Sequence, residues 1–139
     1  EKPMSATIES TTGPTRIEKD SMGEMPVPAD VLYGASTQRA VLNFPISGVP
    51  VPETIICAFA TLKAATARAN ESLGKLASSK ADAIVDACEV VLGGMNNHGG
   101  LHRHFPIDIF QTGSGTSTNM NANEQECGIS QRRKSSPSK

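Results

Sequence analysis

Residues 53–73 read ETIICAFATLKAATARANESL. Ile55, Phe59, Leu62, Thr66, Ala69 and Leu73 recur there at steps of four, three, four, three and four, which places them on one face of an α-helix. Pro52 suits the first helical position, Gly74 the position after the end, and the alanines between them favour helix intrinsically. A second helix is expected next, with Ser79 as its cap, Asp82 three residues on, and an apolar stripe of Ile84, Val85, Cys88, Val91 and Leu92 that Gly93-Gly94 ends. Two amphipathic helices in succession make a helical hairpin whose stripes cover each other only in part. The expected fold class is mainly α.

Upstream, residues 15–29 read TRIEKDSMGEMPVPA, where Gly23, Pro26 and Pro28 block a regular helix and favour a short strand or hairpin. A brief helix is expected from Ser36 through Gln38, Arg39, Val41 and Leu42, stopped by Pro45. Residues 1–15 are Ser/Thr-rich with few large apolar groups and read as a disordered lead-in. Downstream of Gly93 the chain turns Gly-, Asn- and His-rich, then shows a short apolar run, FPIDIF at 105–110, expected to be extended or loop.

The whole chain has 139 residues, room for about one domain. Its net charge of −1 offers no sequence-wide basic field, which argues against nucleic acid and an anionic membrane as partners. The charge is uneven, because residues 125–139 hold four bases and one acid. Cys57, Cys88 and Cys127 are odd in number and form no C-x-x-C pair, so no disulfide framework is expected. Cys57 and Cys88 fall on or beside the apolar helical faces and read as small core hydrophobes. No apolar run approaches the roughly 20 residues of a membrane-spanning helix, and no secretory signal is visible.

The chemistry concentrates in residues 111–124, QTGSGTSTNMNANE. One reading is a flexible polar loop. The other is an anion cradle, in which Gly113 and Gly115 let backbone N–H groups approach a ligand, Ser114 and Thr116 donate hydroxyl hydrogen bonds, and a helix N-terminus adds positive potential. A P-loop is excluded because the stretch has no Lys, a dinucleotide finger because Thr118 replaces the third Gly, and a hydrolase elbow because Thr112 and Thr116 replace its glycines. Neutral hydroxyl and amide donors suit a small carboxylate better than a phosphate. His98, His102 and His104 could form a zinc set, but Gly99-Gly100 make their spacing pliable, and a solvated loop with no metal is the expectation.

QTGSGTSTNMNANE, with TRIEKDSMGEMPVPAD at 15–30 and LYGASTQRAVLNFPIS at 32–47, resembles the N-terminal region of class II fumarate hydratases, in the fumarase/aspartase superfamily. The resemblance runs from about Arg16 to Glu124, with FPIDIFQTGSGTSTNMNANE as its most specific stretch. It implies the N-terminal domain of that fold, with a hairpin segment before the helical hairpin and without the central helical bundle through which four chains associate. It also implies a reversible, metal- and cofactor-free trans addition of water to fumarate, giving L-malate through an aci-carboxylate. By the same resemblance Ser114, Gly115 and Thr116 grip a carboxylate of this small dicarboxylate substrate, and Thr112, Asn119 and Asn121 support the loop. The family's base serine, helper histidine and substrate lysine belong to later regions, so no catalytic acid or base is expected here. The implied setting is cytoplasmic, or mitochondrial in a eukaryote. Aspartate ammonia-lyases share the layout but usually carry Ala at the place of Ser114.

The sequence departs from the family's pattern at two places. Residues 94–103, GMNNHGGLHR, look like a loop insertion. After Glu124 the chain reads QECGISQRRKSSPSK, where the family continues into an apolar helix; 125–139 is expected to be a non-family, disordered basic tail left by a truncated gene. The resulting expectation is a fumarase-derived polypeptide inactive alone, the alternatives being a non-catalytic helical interaction piece and an ammonia-lyase-type relative.

Overall fold

A computed structural model describes residues 13–96 and 101–135. Its elements run β1 (Thr15–Asp20), β2 (Gly23–Pro28), α1 (Ala35–Asn43), α2 (Glu53–Ser72), α3 (Ser78–Asn96), a 3-10 turn (Leu101–His104) and α4 (Thr116–Ser135). The expected lead-in at 1–15 and His98 fall largely or wholly outside the described residues.

The hairpin forms as the sequence implies. β1 and β2 pair antiparallel with Thr15 opposite Pro28 and Asp20 opposite Gly23. Asp20 Oδ1 accepts the Met22 N–H at 2.8 Å, and Gly23 turns the chain at φ +116°, a region few side chains tolerate. Alternation along β2 buries Met25 and Val27, which form a small core with Val31, Tyr33 and Ala35. Arg16 ties the hairpin to the following segment: its guanidinium donates to the carbonyls of Pro28, Val31 and Tyr33.

α2 and α3 form the expected helical hairpin, and α4 packs across it. Their shared core is Ile56, Ala60, Ala87, Cys88, Val91, Phe105 and Ile129. The buried face of α2 is therefore not the large-residue stripe expected from the spacing. Ile56, Ala60 and Ala67 are buried, whereas Ile55, Leu62 and Leu73 are 47, 63 and 66% exposed. Small side chains allow α3 to approach closely, and no element among the described residues covers the bulkier face one position away.

Two helix ends also differ from expectation. α3 continues through Gly93-Gly94 to Asn96, and its N-terminal residue is Ser78 rather than a cap at Ser79. Gly94 is a packing glycine, since a Cβ there would lie 2.0 Å from Leu101 Cδ1 in the 3-10 turn. Part of the supposed insertion at 94–103 is thus helix and 3-10 turn. The supposed disordered tail is the second half of α4 as far as Ser135. Thr118, Asn121, Ala122, Gln125 and Ile129 are buried at helical spacing, so a largely polar stripe holds this helix in place. Gly128 adds a close approach: a Cβ there would sit 2.5 Å from the Leu32 carbonyl oxygen.

Candidate functional site

The site lies where an irregular segment enters α4, and it is anchored from behind by Asp108. That buried carboxylate accepts the Phe110 N–H at 2.8 Å, the Ser47 N–H at 2.7 Å, the Gly48 N–H at 2.8 Å and the Ser47 hydroxyl at 2.9 Å. These donors, the Phe110 amide foremost, hold its pKa down at about 2. Val51 N–H to Ile107 O and Ile109 N–H to Val49 O, both 3.0 Å, complete a short antiparallel pairing of 49–51 with 107–109. The FPIDIF run, expected to be extended or loop, is thus irregular with one bridge at Asp108 and a turn at 109–110, tied to Ser47 and Gly48 some sixty positions away.

Gln111 then closes the loop onto the helix. Its Oε1 accepts the Thr118 N–H at 3.0 Å and its Nε2 donates to the Thr118 hydroxyl. An amide from outside the helix therefore caps one of the first-turn donors of α4. Between these points Gly113 and Gly115 adopt φ +78° and +73°. The resulting fold brings three hydroxyls into a row: Ser114 Oγ is 3.2 Å from Thr112 Oγ1 and 2.9 Å from Thr116 Oγ1. Thr112, Ser114 and Thr116 are exposed, at the positive end of a 20-residue helix. The two bonds use two of the three hydroxyl protons, so the row leaves one uncharged O–H to donate to an incoming anion, and the others donate by rotating.

Of the expected site residues, the structure brings together Thr112, Ser114, Gly115 and Thr116. Asn119 and Asn121 lie within α4 and not in the loop. Asn121 is buried and donates to the His104 carbonyl at 3.0 Å, a bond that Gln125 Nε2 shares, so it holds the 3-10 turn. The polar-loop reading of 111–124 is corrected accordingly, because the helix begins inside the motif at Thr116. Sequence reasoning gave no role to Asp108, Gln111 or Glu124. Glu124 accepts N–H bonds from Gly34, Ser36 and Thr37, and nothing local in the sequence signals partners that distant.

The two described histidines, His102 and His104, differ in their surroundings. His102 is exposed, 3.7 Å from Glu53, whereas His104 is buried and its Nδ1 accepts the Leu32 N–H at 3.1 Å. No group of three metal-ligating side chains occurs among the described residues. Burial, aided by Arg103 and Arg132, pushes the His104 pKa down to about 4 from 6.5. Its neutral form is the folded form, so stability is full above pH 6.5 and falls as the pH drops from 6.5 towards 4, where only the unfolded chain gains the proton. Between pH 7 and 4.5 the chain is expected to lose about 2–3 kcal/mol relative to His104→Asn, measured by urea denaturation. Parallel pH curves for the two proteins would contradict this.

Cys57 is half-buried, Cys88 buried and Cys127 exposed, and all three are free. No helix among the described residues is long and apolar enough to cross a membrane.

Comparison with known proteins places the chain in a family. A family model described as lyase matches residues 23–132, which extends past Glu124 into the supposed tail. Fumarate hydratase class II 2 of Pseudomonas aeruginosa is 53% identical over 119 residues, covering 86% of this chain and 25% of that protein. Fumarate hydratase class II of Halobacterium salinarum is 51% identical over 109 residues, covering 78% and 22%. The crystal structure of class II fumarase from Schistosoma mansoni superposes with a TM-score of 0.79 at 38% identity, over 90% of this chain and 26% of that one. The chain spans about a quarter of the length of the curated relatives it matches.

Proposed function

We propose, from the premise that the chain belongs to the lyase family matched over residues 23–132, that its 111–116 loop grips a carboxylate of fumarate or L-malate. The reaction served is the reversible hydration of fumarate, a carbon–oxygen lyase step of the tricarboxylic acid cycle. The row of Thr112, Ser114 and Thr116 hydroxyls beside two left-handed glycines carries this reading, because it places exposed neutral hydroxyls at a helix N-terminus. Donors aimed at a carboxylate stabilise the charge it gains when the adjacent carbon becomes carbanion-like, which is the electrostatic part of such catalysis. The part played by residues 16–124 is to bind and orient. Proton transfer requires groups from the regions of the family's fold that this sequence does not span, in a cytoplasmic or mitochondrial homotetramer. The chain alone is expected to bind substrate and not turn it over.

The test is a titration of the 15N-labelled chain with fumarate and L-malate. The amides of residues 112–117 are expected to shift in a saturable manner, with Ser114→Ala abolishing the effect. Shifts absent at millimolar ligand, or equal with acetate and chloride, would overturn the reading. The uncovered face of α2, with Ile55, Leu62 and Leu73 in water, favours a second reading as a helical interaction piece. In that case the 112–117 amides stay unmoved while a full-length relative co-elutes with the chain.

A further inference from the structure

Glu126 occupies an unusual place for a carboxyl group. It lies on the face of α4 turned towards α2 and α3, where it forms part of the wall of a small core void of about 10 Å³ shared with Ile56, Ala60, Val91 and Phe105. On its other side it lines an open groove of about 460 Å³ between α2, α3 and α4, flanked by Phe59, Leu62 and Asn123. Its hydrogen bond is a weak one, from the Cys88 thiol to Oε1 at 3.6 Å. It joins no ion pair among the described residues. Lys63 of α2 lines the same groove, and its ammonium donates to Asn123 Oδ1.

We propose that Glu126 makes the seating of α4 on α2 and α3 pH-dependent, with two positions for its side chain. Protonated, the carboxyl stays at the core wall against Cys88. Ionised, it turns into the groove towards Lys63, and α4 is held less firmly. The titratable and charged groups facing it are Lys63 from α2 and Cys88 from α3; Phe105 and, on its own helix, Asn119 and Asn123 are neutral. Burial is the dominant influence and raises the Glu126 pKa above 4.5, while Lys63 and the Cys88 bond oppose it. Cys88, pushed up to about 12 mainly by burial, remains a thiol throughout.

The sign follows from linkage. A carboxyl whose folded pKa is raised contributes stability that is present below 4.5 and lost as the pH rises through the folded value. This is opposite to His104, so comparison with a neutral isostere separates the two. Folding constants of the native chain, Glu126→Gln and Lys63→Met are measured by urea denaturation at intervals from about pH 4.5 to 8. The native constant is expected to fall several-fold relative to Glu126→Gln as the pH rises, and Lys63→Met, which removes the partner of the outward position, to steepen that fall. Parallel curves for native chain and Glu126→Gln, or a native chain that gains on the variant with rising pH, would overturn the proposal. A Lys63→Met curve with the native slope would overturn the outward position.

Discussion

Replacing Glu124 by alanine is expected to cost about 3 kcal/mol of folding stability, a large fraction of what a domain of this size possesses. α1 begins at Ala35 with Gly34 as its N-cap, and Gly34 has no side chain with which to satisfy the first-turn amides. Glu124 supplies that function from α4: Oε2 accepts the Gly34 and Thr37 N–H groups at 3.0 Å each and Oε1 the Ser36 N–H at 2.9 Å. Gly34 leaves room for it, since a Cβ there would come within 3.0 Å of Glu124 Oε1. Hydrogen bonds to a charged group contribute roughly 1.5–3 kcal/mol each, and water recovers part of the loss at a half-exposed site. Glu124→Gln retains one acceptor oxygen and is expected to fall between the native chain and Glu124→Ala. Chemical denaturation measures both, and a loss below about 0.5 kcal/mol for the alanine variant, the scale of an ordinary surface substitution, would contradict the account.

Local chemistry made much of this fold legible. Gly23, Pro26 and Pro28 declared a turn-punctuated hairpin, and the Pro52-to-Gly74 interval framed α2 to within two residues. The face of α2 was not legible, because Ile55, Leu62 and Leu73 satisfy helical spacing as well as Ile56, Ala60 and Ala67 do, and only α3 and α4 decide which side is covered. The second half of α4 was illegible for a different reason. Its buried positions include Thr118, Asn121 and Gln125, so a search for apolar periodicity finds nothing where the packing is in fact helical. Gly94 was read as a stop when it is a contact with Leu101.

The loop shows the same division. Gly113, Ser114, Gly115 and Thr116 announced a glycine- and hydroxyl-lined loop, because left-handed glycines and a row of neighbouring hydroxyls are local features. The contacts that anchor the loop and its helix are Asp108 on Ser47 and Gly48, Gln111 on Thr118, and Glu124 on α1. Two of these three carboxylate or amide clamps reach across sixty or more residues, beyond any spacing rule. The loop is therefore recognisable in sequence, while the contacts that anchor it belong to the tertiary structure.

The central claim is that this loop grips a substrate carboxylate, and a hybrid enzyme tests it most directly. Residues 23–124 replace the matching segment of the Pseudomonas aeruginosa relative, so that the rest of that protein supplies whatever proton-transfer groups the chain lacks. The hybrid is expected to interconvert fumarate and L-malate, and Ser114→Ala within it to lower kcat/KM by about 10²–10³, the usual cost of removing one donor to a developing oxyanion. Circular dichroism melting checks that the variant is folded, as expected for an exposed Ser114 whose bonds among the described residues go to the neighbouring Thr112 and Thr116 hydroxyls. A folded hybrid that does not turn over, or a Ser114→Ala hybrid as active as its parent, would contradict the account.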